Sequence, residues 1–121
     1  MKLNQDCVRN LLLTIEENLS YPGRLTLQEL KDSPRLKDFS EKDIIYTMDT
    51  LADAGHIELT FPSLGKNVAR MTFNGHSLLD NVRDDKIWAE TKNAAAKVAG
   101  ASFAVLSDIA AEFIKKKVGL S

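Results

Sequence analysis

Residues 40–73, SEKDIIYTMDTLADAGHIELTFPSLGKNVARMTF, decide the fold. Ser40 opens a helix, and Asp43 stands at the offset where a capping box places its acid. Ile44, Ile45, Met48, Leu51 and Ala52 recur at helical spacing and make one apolar stripe. Gly55 follows where a helix ends on a left-handed residue. Residues 57–61, IELTF, then alternate apolar and polar, as a half-buried strand does. The turn-rich PSLGKN at 62–67 leads into a second alternating run, VARMTF at 68–73. The stretch therefore reads as a helix followed by a β-hairpin.

Upstream, residues 6–19 place Val8, Leu11, Leu12, Ile15 and Leu19 on one helical stripe, with Asn4 or Asp6 as the cap. Pro22 and Gly23 end it. RLTL at 24–27 reads as a short strand. Leu27–Leu30 forms a turn or two of helix, capped by Thr26 with Glu29 at the capping-box position. Downstream, a third long helix is expected from Asn74 or Gly75, with Leu78, Val82 and Ala89 on one face. A last helix runs from near Ser102 to about Lys117. The fold class is mainly α with a small β-hairpin. Three helices and then a hairpin is the order of a winged helix–turn–helix, here followed by two C-terminal helices. The expected division is a winged-helix domain at 1–75 and a helical extension at 76–121.

The chain has 121 residues, 44% apolar and 27% charged, enough for one core and too apolar for a disordered chain. Its net charge of -1 lends no support to a nucleic-acid partner, so any basic patch has to be local. Cys7 is the only cysteine, which excludes an intrachain disulfide and fits a cytoplasmic protein. Residues 1–20 lack the pattern of a signal peptide, since Glu16 and Glu17 break the apolar run. The most apolar tract, 94–114, is interrupted by Lys97, Asp108 and Glu112, so no membrane span is expected.

DTLADAGHIELT (49–60) and MTFNGHSLLDNV (71–82) together resemble winged-helix repressors of the multiple-antibiotic-resistance regulator type. Those proteins enter the wing through Leu-x-x-x-Gly-x-Ile, matched by Leu51, Gly55 and Ile57, and leave it through Thr-x-x-Gly, matched by Thr72 and Gly75. The whole chain is similar to a small bacterial and prophage-associated family of unknown function. MKLNQDCVRNLLLTIEEN at the start and GHSLLDNVRDDKIW in the middle carry that likeness. It implies a winged-helix core and brings no catalytic residue with it.

The resemblance points to DNA, with the third helix in the major groove. Lys42, Tyr46, Thr47 and Thr50 would lie nearest the bases, and Lys66 and Arg70 on the phosphates. Charge argues against this. Across Glu41, Lys42, Asp43, Asp49 and Asp53 one positive faces four negatives, and residues 1–73 hold 9 Lys and Arg against 11 Asp and Glu. Phosphate affinity requires the opposite balance. The alternative is a non-enzymatic, phage-derived protein-interaction module that docks a basic partner on the acidic third helix.

Other chemistry finds no constellation. Asp84 and Asp85 are about 100° apart on a helix and do not face each other as paired acids do. In the Arg83–Asp84–Asp85–Lys86 cluster, Asp85 falls near the apolar stripe. It is expected, with Trp88, to act as a structural joint through a partly buried bond to the winged domain. His56, His76 and Cys7 lack metal-ligand spacing. PSLGKN has one glycine and lacks the Lys-Ser/Thr of a nucleotide loop. No enzyme activity, metal or cofactor is expected. Phe103, Leu106, Ile109 and Phe113 form an apolar face on the last helix, read as a homodimer interface or an intramolecular packing face.

Overall fold

The computed structural model describes residues 1–62 and 65–119, and its contacts divide the chain into two compact units, Met1–His76 and Ser77–Ser121. The chain is mainly helical, with a small three-stranded antiparallel sheet.

In the first unit, helix α1 (Gln5–Asn18) starts where the Asn4 side chain accepts from Cys7 N at 2.9 Å. It is buried more widely than one stripe: Cys7, Arg9, Leu13 and Thr14 are inside as well as Val8, Leu11, Leu12 and Ile15. The reason is position, since elements pack against α1 from more than one side. The two-residue strand β1 (Leu25–Thr26) and the short helix α2 (Leu27–Asp32) follow. The Thr26–Glu29 capping box forms as read from the sequence, with Glu29 N donating to Thr26 Oγ1 at 3.1 Å and Thr26 N to Glu29 Oε1 at 3.1 Å.

Helix α3 (Glu41–Asp53) begins at Ser40, whose hydroxyl accepts from Asp43 N at 3.1 Å. Ile44, Met48 and Leu51 are buried, and α3 packs on α1. Its end is a Schellman motif. Gly55 N donates to Ala52 O, His56 N donates to Leu51 O, and Gly55 takes φ +80°. Strands β2 (Ile57–Thr60) and β3 (Asn67–Met71) pair antiparallel, with Ile57 opposite Met71 and Glu58 opposite Arg70. A bulge between Glu58 and Leu59 shifts the later pairs. Strand β1 adds to the far side of β3, giving the order β1-β3-β2. The sequence suggested a two-stranded hairpin with a separate short strand, whereas that strand joins the sheet. Ser63 and Leu64, inside the expected PSLGKN turn, lie outside the described residues.

The chain leaves the sheet through Thr72, the first residue of the quoted Thr-x-x-Gly. Its N–H donates to His56 O at 3.0 Å and its hydroxyl to Gly55 O at 2.6 Å. The same hydroxyl accepts from Gly75 N at 3.1 Å, and so caps helix α4 (Phe73–Val82). The two motifs quoted from the sequence are thus the two halves of one hydrogen-bonded junction.

The expected long helix from 74 through 89 is two helices. Asp84 takes an extended backbone (φ -70°, ψ 128°), and its carboxylate accepts from Ile87 N at 2.9 Å, capping helix α5 (Asp85–Ala95). Aspartate favours a cap over a helix interior because its short side chain competes for backbone amides. Asp85 is exposed in the first turn, and Ala89, expected on the buried stripe, is exposed as well. The residue that caps α5 is therefore Asp84. Helix α6 (Phe103–Lys117), capped by Ser102, packs against α5, with Trp88 and Phe103 ring centroids 5.7 Å apart. Trp88 is buried against a residue of its own unit. On α6, Phe103 and Leu106 are buried within the chain, while Ile109 and Phe113 are half-buried. No helix among the described residues is long and apolar enough to cross a membrane.

Candidate nucleic-acid interface

Because the stripe Ile44–Met48–Leu51 turns inward, α3 presents Glu41, Lys42, Tyr46 and Asp53 to solvent, with Asp43, Asp49 and Thr50 half-exposed. Tyr46 is 37% accessible and Lys42 is exposed, as a groove-reading face requires. Thr47 does not belong to it. That residue is 1% exposed, its hydroxyl donates to Asp43 O at 2.7 Å, and Cys7 Sγ lies 3.4 Å away. A threonine that bonds the carbonyl four residues back has satisfied its polar atom and can be buried. Burial pushes the Cys7 thiol upward in pKa, with the Thr47 bond opposing.

The hairpin brings both expected phosphate contacts to carboxylates. Lys66 Nζ lies 2.6 Å from Asp49 Oδ1 and 2.6 Å from Oδ2, tying the hairpin to α3. Arg70 grips Glu58 with two bonds, Nε to Oε1 at 2.7 Å and Nη2 to Oε2 at 3.1 Å. The guanidinium holds the Glu58 carboxyl below its ordinary range, and Glu58 raises Arg70 in turn. Two further cations are similarly held, Lys31 by Glu41 at 2.9 Å and Arg35 by Glu17 at 2.8 Å. The bond from Arg35 lowers the Glu17 carboxyl. In the sequence, Asp49 and Glu58 enter only as part of the acidic excess of residues 1–73. The Glu58–Arg70 pair was within reach, since the hairpin register sets those two positions opposite each other. Lys66–Asp49 joins residues 17 apart across two elements, which no local spacing signals.

His56 sits beside this face, at the junction of α3 and β2. Its Nδ1 is buried with no hydrogen-bond partner among the described residues. Desolvation holds its pKa below the ordinary 6.5. The folded state then binds fewer protons than the unfolded state as pH falls through 6.5, so stability falls with it. Thermal melts at pH 7.5 and pH 5.5 should show a lower midpoint at the acid value. His56→Gln should flatten the difference. That window lies above the range in which Glu58 and Glu17 titrate, so the two effects separate. An unchanged slope in the variant would rule His56 out.

A concavity of about 420 Å³ lies on the first unit, lined by Ile15, Leu19, Tyr21, Arg70, Met71 and His76 among others. Among the described residues, no three His, Cys, Asp or Glu side chains converge as metal ligands.

Comparison with known proteins gives a consistent picture. The family described as "Hypothetical protein (DUF2513)" matches residues 2–102. An uncharacterized protein of Haemophilus influenzae (strain ATCC 51907 / DSM 11121 / KW20 / Rd) is 34% identical over 96 residues, which is 76% of each chain. No solved structure matches.

Proposed function

We propose, from the premise that the chain belongs to the DUF2513 family, that it is a winged-helix DNA-binding regulator or accessory factor with no enzymatic activity. Support comes from the order α1-β1-α2-α3-β2-β3 with sheet order β1-β3-β2, in which α3 takes the place of the recognition helix and β2-β3 that of the wing. The observation that carries the reading is the Lys66–Asp49 contact, which sets the hairpin directly beside the solvent face of α3. A helix and an adjoining flap on one face are what a duplex needs, one for the groove and the other for the backbone. Lys42, Tyr46 and Thr50 are then the base-reading side chains, and Lys66 and Arg70 the backbone contacts. The protein works in the cytoplasm. It pairs as a homodimer through the half-buried Ile109 and Phe113 of α6, since two half-sites require two copies.

The alternative, docking on a basic protein partner, is favoured by one specific observation. The α3 face keeps Asp43 and Asp53 against Lys42 alone, a net negative charge, once Lys66 has balanced Asp49 and Lys31 has balanced Glu41. Binding of a labelled mixed-sequence duplex, followed by fluorescence anisotropy at about 50 and 200 mM salt, separates the two. DNA binding predicts association at the lower salt that weakens at the higher, and a further loss in Lys42→Ala. Absence of binding at the lower salt would move the assignment to a protein partner.

A further inference from the structure

We infer that Asp49 and Glu58 occupy the places of two DNA phosphates, so that wild-type binding depends on base contacts from α3 more than on backbone charge. This inference deepens the DNA-binding reading and rests on it. Lys66 Nζ is 2.6 Å from both oxygens of Asp49, and Arg70 holds Glu58 by a two-bond fork. An arginine grips a phosphate in the same forked geometry. The partners are 17 and 12 residues apart: hairpin register sets Glu58 opposite Arg70, whereas Asp49 and Lys66 meet across α3 and the hairpin. The exposed Glu58–Arg70 pair adds little to stability, and the half-buried Lys66–Asp49 pair also ties the hairpin to α3. Their effect on a polyanion is direct. A cation already neutralised by a carboxylate releases no counterion when a phosphate replaces that carboxylate, because the displaced acid is left facing the DNA. Each pair therefore removes one phosphate from the count that governs salt dependence.

The experiment measures mixed-sequence duplex binding by anisotropy across salt for wild type, Asp49→Asn, Glu58→Gln, Asp49→Asn with Lys66→Gln, and Asp53→Asn. Asp53 is exposed on the same helix and holds no cation among the described residues, so its variant reports the general effect of one less negative charge. Asp49→Asn should steepen the slope of log K against log salt by about 0.9 and tighten binding roughly tenfold near 0.1 M salt. Glu58→Gln should do the same. Adding Lys66→Gln should return the slope to the wild-type value, and Asp53→Asn should leave the slope unchanged. Circular dichroism confirms that each variant is folded.

Equal slopes in Asp49→Asn and Asp53→Asn, or a wild-type slope in both pair variants, overturn the inference while leaving DNA binding intact. Binding by Asp49→Asn or Glu58→Gln where wild type does not bind supports the inference and removes the wild-type reading. No binding by any of the proteins at low salt overturns both.

Discussion

Gly75→Ala is expected to destabilise the fold by about 2–3 kcal/mol, against the usual direction of such a change. At an exposed helical position the substitution stabilises by roughly 1 kcal/mol, because alanine is the better helix former. Gly75 is helical and buried, and its missing side chain is the point of closest approach in the junction. A Cβ there would run into the carbonyl oxygen of His56 and stand 2.6 Å from Met71 Cγ. The Met71 side chain could move, but the His56 carbonyl cannot readily do so. It already accepts from Thr72 N at 3.0 Å, and His56 N is itself tied to Leu51 O. The clash must therefore shift backbone in the α3 cap, the hairpin exit or the start of α4, and that strain exceeds the gain in helix propensity. Urea unfolding of wild type and variant provides the measurement. A neutral or stabilising result would show that the junction is looser than its hydrogen bonds indicate.

The same junction was the most legible part of the sequence. Gly55 and Gly75 were visible as glycines at motif positions, and each answers a backbone requirement: a left-handed conformation at one and a close approach at the other. The helix-then-hairpin reading of 40–73 rested on a change of apolar period from helical to alternating, and that change is what the packing uses. Thr47 is buried, in contrast to the outward placement its polarity suggests. It falls three residues after Ile44 and four before Leu51, squarely on the buried stripe. What the sequence alone does not display is that the Asp43 carbonyl satisfies its hydroxyl.

Other differences have other causes. Leu78, Val82 and Ala89 are spaced as one helix would space them, so periodicity could not reveal the break at Arg83–Asp84. Capping chemistry decided it, and Asp84 was the available signal. The candidate interface was legible as a set of side chains but not as an electrostatic surface. Whether Lys66 and Arg70 meet phosphate or carboxylate depends on tertiary placement, and a sum of charges along the chain carries no such information. The sum does not identify Asp49 and Glu58 as the specific acids opposite the two cations.

Trp88→Ala should be the most damaging single change in the C-terminal unit, with an expected loss of about 3–5 kcal/mol. Trp88 is 5% exposed, and its ring lies 5.7 Å from that of Phe103 at an interplanar angle of 36°. Such a pair adds ~0.5–1.5 kcal/mol beyond simple burial. Lys92 Nζ, 5.9 Å from the ring centroid on an exposed face, contributes at the weak end of cation–π interactions. The loss is large because Trp88 on α5 and Phe103 at the start of α6 join the two helices, and the intervening residues 96–102 include exposed Gly100 and supply little apolar contact. Trp88→Phe keeps a ring against Phe103 and should lose only ~1–2 kcal/mol. Since Trp88 is the only tryptophan, circular dichroism must follow the unfolding. A double-mutant cycle with Phe103→Ala isolates the contact. A coupling of about 1 kcal/mol places the stabilising role of Trp88 in the α5–α6 pair, whereas additive losses would show that Trp88 is held by something other than Phe103.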